Sequence, residues 1–156
     1  TLHLWWYYTG ERSGATLALE WEMIDFENMA AQLPARIRKG KVKPKRYELP
    51  PHVVELLKMM RALDPDAKLV FGAFKFHKTT WYNRYTALLK NAGLPADRSN
   101  KAHMMRRTHG THLHKAGGNA QESLGHSRPE TTKRYLDPEQ CSEGQPPTWS
   151  VLPEVK

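Results

Sequence analysis

Several side chains in this sequence have the types and spacing to handle a phosphate. His103 and Arg106 stand three apart in His103-Met104-Met105-Arg106-Arg107-Thr108, so a helix sets them on one face. A guanidinium grips two phosphate oxygens as a fork, and an imidazole donates or shuttles a proton. Leu124-Gly125-His126 places a second imidazole at a helix entry, where backbone N–H groups favour an anion. Arg12 follows a glycine-made stop at Thr9-Gly10, a short reach that positions it firmly, and Tyr135 presents a phenol near a helix end. Lys39 and Lys41 are cations on a hairpin tip. Each has a bland counterpart. A basic helix end is usually a solvated face, a lone arginine usually an ion-pair or surface residue, and a single tyrosine usually core.

The elements that must carry these residues are legible in outline. Leu2 to Tyr8 reads as the end of a buried helix, and Ser13 is placed to cap a second one carrying Leu17, Leu19 and Trp21. The pattern then turns β-like: Met23 to Phe26, a turn at Glu27-Asn28, Met29 to Arg36, and a third strand from Arg46 to Leu49. Val53, Leu56, Leu57, Met60 and Leu63 recur at helical spacing after Pro50-Pro51. Thr79 or Thr80 caps a helix ending at Gly93, and Asn100 begins another running to Lys115. A short helix holds Gln121 to Leu124. Ser127-Arg128-Pro129-Glu130 is a capping-box start that sets Tyr135 one to two turns into the final helix. Together these predict an α+β domain, mostly helical, with a small three-stranded antiparallel sheet. A Pro- and Gly-rich tail follows, in which Trp149-Ser150-Val151-Leu152 reads as an added edge strand.

The bulk numbers bound the partners. The 156 residues suffice for one domain with a single core. The 24 Lys and Arg outnumber 16 acidic residues, a net +8 that favours a polyanion: DNA, RNA or an anionic membrane. No apolar run is long enough to span a bilayer. The single cysteine, Cys141, excludes an intrachain disulfide and points weakly to a reducing compartment, the cytoplasm. The chain opens inside what reads as a helix, so a piece trimmed from a longer protein is expected.

The order of these elements is more specific than any one of them. Thr9-Gly10-Glu11-Arg12, the hairpin lysine, Leu49-Pro50, His103-x-x-Arg106, Leu124-Gly125-His126 and Thr131-Thr132-Lys133-Arg134-Tyr135 stand in sequence. This resembles the active-site pattern of the tyrosine recombinases of phage-integrase type, up to Pro138. The resemblance implies their catalytic fold over residues 1–138, a tail from 139 to 156, and an N-terminal DNA-clamping domain outside this sequence. It implies double-stranded DNA as partner, a tetramer on DNA with a monomer in isolation, and no metal or other cofactor. It further implies roles. Arg12 and Arg106 hold the scissile phosphate, His126 adds a hydrogen bond, and His103 helps proton transfer. Tyr135 attacks phosphorus to form a 3′-phosphotyrosine, and Lys39 protonates the leaving 5′-oxygen. Lys41 fits that last role nearly as well as Lys39.

Two features depart from the pattern. An acidic residue often follows the first arginine by three positions, where this chain has Ala15. Gly117 to Gly125 is also about one helical turn shorter than in common members. Three other readings compete. A type IB topoisomerase shares the nucleophile and clamp. A DNA-binding relative without catalysis fits the charge, but the complete residue set argues against it. A zinc module would use His103, His109, His112 and His114, yet it lacks the usual Cys or carboxylate ligands. His109 and His112 are therefore expected to pack or hydrogen-bond in the core.

Overall fold

The computed structural model describes residues 1–38, 43–76, 78–97, 101–137 and 141. Lys39, Lys41, Asn100 and the predicted tail strand lie outside the described residues. Among the described residues, eight α-helices accompany one small sheet: α1 (Leu2–Thr9), α2 (Ser13–Thr16), β1 (Ile24–Asp25), β2 (Ala30–Leu33), β3 (Lys45–Glu48), α3 (Pro51–Leu63), α4 (Gly72–Phe76), α5 (Lys78–Asn91), α6 (Lys101–Lys115), α7 (Ala120–Leu124) and α8 (Pro129–Lys133). The sheet is antiparallel in the order β1-β2-β3, as the alternating pattern predicts.

The core explains the first helix. Helix α1 buries Leu2, Trp5, Trp6, Tyr7 and Tyr8 on every side and packs along α6. Burying an indole also buries its N–H. The Nε1 atoms of Trp5 and Trp6 both donate to Thr16 Oγ1, at 3.2 and 3.0 Å. One hydroxyl oxygen with two lone pairs thus satisfies both. Replacing either tryptophan by alanine costs roughly 3–5 kcal/mol on these grounds. Gly10 ends α1 in the left-handed region at φ 57°. It also lies so close to α6 that a Cβ would come within 2.5 Å of the His109 ring. Both backbone shape and space therefore require glycine here.

Sheet register is what aims the site residues. Ala31 pairs with Tyr47 and Leu33 with Lys45, so Lys45 and Tyr47 share one face of β3. A one-residue slip would turn both away. Ala30, Ala31 and Leu33 of the central strand are buried, while Gln32 is exposed.

Some predicted boundaries move. Strand β2 stops at Leu33, not Arg36, because Pro34 lacks the N–H that the ladder needs, and a 3₁₀ turn takes over from Ala35 to Ile37. The first strand shrinks to Ile24–Asp25 because Met23 is taken into a 3₁₀ turn. Helix α2 is a single turn with Arg12, not Ser13, at its N-cap. Thr79 and Thr80 lie inside α5. At α8 the capping box does not form. Arg128 is the N-cap with no side-chain bond, Pro129 takes the first position, and the helix ends at Lys133. Tyr135 therefore sits in the turn beyond α8, its N–H on Thr132 O at 2.8 Å.

Candidate active site

Four segments distant in sequence meet at one place. The Gly10 turn brings Arg12, β3 brings Lys45 and Tyr47, α6 brings His103 and Arg106, and the stretch from α7 to the turn after α8 brings His126 and Tyr135.

Arg106 lies at the junction. It is 2% exposed, and its guanidinium donates through Nη1 to Gly10 O and through Nη2 to Leu124 O. Its Nε–H is buried without a partner among the described residues. A buried donor left open costs free energy until something accepts from it. Burial first, then repulsion from Arg12, pushes the guanidinium below its usual pKa. Arg12 is half-buried, and its side chain has no hydrogen-bonding or ion-pairing partner among the described residues. Two guanidiniums crowded together with open donors are an arrangement that an anion would relieve.

His126 and Tyr135 complete the group. Gly125 closes α7 in the left-handed region at φ 63°, which turns His126 inward. The His126 Nε2 atom lies 3.4 Å from Arg106 Nη2, and Nδ1 lies 3.0 Å from Thr132 Oγ1. Guanidinium only donates, so Nε2 is the acceptor and Nδ1 carries the proton. Burial, then Arg106 and Arg12, lower the His126 pKa to about 4, so the ring is neutral at pH 7. The Tyr135 ring stands 4.8 Å from that of His126 and 6.4 Å from that of His103, centroid to centroid. The Arg106 guanidinium carbon lies 5.7 Å from the same ring. The Tyr135 hydroxyl makes no hydrogen bond to any described residue. His103 is exposed on the first turn of α6. Arg12, His103, Arg106, His126 and Tyr135 are thus brought together from positions up to 123 residues apart.

Residues that sequence reasoning passed over support this group. Glu11, 2% exposed, accepts from Tyr47 Oη at 2.7 Å, Arg38 Nε at 3.0 Å and the Arg12 backbone N–H at 2.8 Å. Ala15 is buried in the core, so the carboxylate absent from that position has a neighbour one residue before Arg12. Lys45, at the start of β3, reaches the end of α7. The signal available was the i, i+2 spacing of Lys45 and Tyr47 on one strand face. His109 donates from Nδ1 to Tyr7 O at 2.7 Å and accepts at Nε2 from Ser123 Oγ at 2.8 Å. Burial holds its pKa near 4. His112 Nδ1 meets Tyr7 Oη at 3.1 Å.

Desolvation alone would raise the Glu11 pKa, but the Arg12 amide, Tyr47 and Arg38 outweigh it and lower it below 4.5. Its stabilising contribution is therefore complete above the ordinary carboxylate range and lost as pH falls through the depressed value. Glu11→Gln is expected to cost about 1–3 kcal/mol at pH 7. Thermal melts of both proteins should converge toward pH 3, whereas a gap that stays constant would mean the carboxylate's charge contributes nothing.

The phage integrase family model matches residues 1–140. Among solved structures, the chain is similar to XerH site-specific recombinase bound to difH substrate in a pre-cleavage complex, at 28% identity and TM-score 0.67. That match covers 86% of this chain and 41% of the other. XerA recombinase matches at 23% identity and TM-score 0.67, over 85% of this chain and 51% of the other. The Tn1549 transposon integrase in complex with circular intermediate DNA matches at 18% identity and TM-score 0.63, over 86% and 52%. The last two likenesses bear on the fold alone. The chain spans about half the length of these structures or less. No curated protein sequence matches it.

Proposed function

Because the chain belongs to the phage integrase family, we propose that it is the catalytic domain of a site-specific tyrosine recombinase that cuts and rejoins double-stranded DNA. The observation that carries this reading is the meeting of a phenol free of hydrogen bonds to described residues, Tyr135, with His126, Arg106 and Arg12. Arg12 and Arg106 take the non-bridging oxygens of the scissile phosphate and neutralise charge that grows in the transition state. His126 adds a contact beside them. The Tyr135 oxygen forms a bond to phosphorus as the bond from phosphorus to the 5′-oxygen breaks. The phenol proton leaves with help from His103, and Lys39, or Lys41 in its place, protonates the 5′-oxygen. Attack by a 5′-hydroxyl from another strand reverses each step and reseals the DNA. The phosphodiester energy is kept in the phosphotyrosine bond, so no nucleotide is consumed.

In this reading residues 1–138 form the catalytic unit, and residues 139–156 form a tail that docks on a neighbour or folds back in cis. The domain acts in a tetramer assembled on DNA, in the cytoplasm. The direct test is incubation of the full-length protein with a nicked suicide substrate. A protease-resistant protein–DNA adduct is the expected result, and its absence would remove the assignment.

Both ring nitrogens of His109 are engaged with protein atoms, and His112 Nδ1 meets Tyr7. In this reading His109 and His112 are scaffold and not metal ligands. Cleavage is expected to persist in excess EDTA. Loss on chelation that added zinc restores would turn these histidines into ligands.

A further inference from the structure

Helix α7 ends on a set of carbonyls claimed by cations. Lys45 Nζ donates to the Ser123 carbonyl and, at 3.4 Å, to that of Glu122. Arg106 Nη2 donates to the next one, Leu124 O. These carbonyls belong to the last turn of the helix, where unpaired acceptors and the helix dipole both favour positive charge. The chain then turns at Gly125 into His126. The Gly125 and His126 amides bond back to Glu122 O and Gln121 O, each at 3.0 Å.

We propose that Lys45 is a positioning residue for His126, clamping the end of α7 so that the Gly125-His126 turn is held against the phosphate site. The proposal rests on the recombinase reading for its effect on rate, but the clamp itself is a property of the free protein. Lys45 sits on β3, on the same strand face as Tyr47, with its ammonium 4.8 Å from the Tyr47 ring centroid. It couples the sheet to a turn 78 residues later in the chain.

The clamp works only while Lys45 is charged. Burial first, then Arg38 and Arg106, lower its pKa to about 8, against opposing pulls from Glu11 and Glu122. The groups around it are thus Tyr47 from β3, Arg38 from the end of the 3₁₀ turn after β2, Glu11 from the Gly10 turn, Arg106 and His109 from α6, and Glu122 from α7. Above that pH the ammonium becomes an amine and its hold on the carbonyls weakens. The effect on global stability has the opposite sign. Between about 8 and the ordinary 10.5 the unfolded chain binds the proton and the folded one does not, so this group makes folding more favourable as pH rises. Activity and stability should therefore part company on the alkaline side.

The test uses the full-length protein and the variants Lys45→Met and Lys45→Arg. In the free protein at pH 7, hydrogen exchange at the Gly125 and His126 amides should speed up about tenfold or more in Lys45→Met and stay near wild type in Lys45→Arg. Unchanged exchange in Lys45→Met would overturn the clamp, whatever the enzyme does with DNA. In single-turnover cleavage, the wild-type rate should fall as pH rises through about 8. Lys45→Arg should remove that limb, because its charge does not titrate. An identical limb in Lys45→Arg would overturn the proposal, and this comparison does not depend on Lys45→Met folding well. In a His126→Ala background, Lys45→Met should cost much less than in wild type, since both act through one group. An equal cost in both backgrounds would mean Lys45 acts by another route. A wild-type protein that shows the exchange pattern but forms no DNA adduct would keep the clamp and reject the recombinase reading.

Discussion

In Tyr135→Phe, covalent attachment to DNA is expected to vanish, a loss on the order of 10⁴-fold or more for removal of a nucleophile. The substitution takes away one oxygen and keeps the ring. The ring is what the rest of the site touches: His126 at 4.8 Å, His103 at 6.4 Å and the Arg106 guanidinium at 5.7 Å. The hydroxyl makes no hydrogen bond to a described residue, so its loss leaves no native partner stranded. Stability and DNA affinity should each shift by roughly 0.5 kcal/mol or less, about twofold in affinity. The contrast is with Tyr47, whose hydroxyl donates to buried Glu11. Tyr47→Phe should lower stability and leave a residual adduct. Gel analysis after protease treatment of the suicide-substrate reaction checks both. A persistent adduct in Tyr135→Phe would put the nucleophile elsewhere.

Arg106→Ala should damage two properties at once. Loss of a preorganised donor to the phosphate costs about 3 kcal/mol or more of transition-state stabilisation, near 10²-fold in rate. The same guanidinium also satisfies Gly10 O and Leu124 O in the interior. Stranding two buried carbonyls costs roughly 2–4 kcal/mol after relaxation, or a fall of about 5–15 °C in melting temperature for a domain of this size. Arg12→Ala should show a comparable rate loss with little change in melting, since its side chain anchors nothing among the described residues. Lysine at position 106 should not rescue fully, because one ammonium lacks the fork that spans both carbonyls. Equal melting temperatures for Arg106→Ala and wild type would contradict the anchoring role. Rates within a few-fold of wild type would remove it from the clamp.

The sequence displays the candidate site residues better than it displays what holds them. Arg12, Arg106, His126 and Tyr135 are visible because glycines and helical spacing announce their surroundings. Glu11 is hidden because nothing local marks a glutamate as buried. Its partners Arg38 and Tyr47 arrive 27 and 36 residues later, through a sheet register that a pattern of alternating residues only sketches. Lys45 is hidden for the same reason, with its acceptor 78 residues on. The sequence pattern carries α8 too far because the motif Ser127-Arg128-Pro129-Glu130 matches a capping box, while the chain leaves the helix after about one turn and delivers Tyr135 from a turn instead. That turn lies against the His126 ring and the Arg106 guanidinium, neighbours that local propensity does not show.

The keystone bond from Arg106 to Gly10 spans 96 residues, and the His109 bond to Tyr7 spans 102. Such long loops close late in folding, after local helices have formed. Tyr135 and His126 also emerge from the ribosome after every other member of the group. An unfinished chain therefore holds Arg12, His103 and Arg106 before His126 and Tyr135 can join them. If the recombinase reading holds, the site is complete only once the segments made last have joined it, so competence to cleave DNA would require the finished fold.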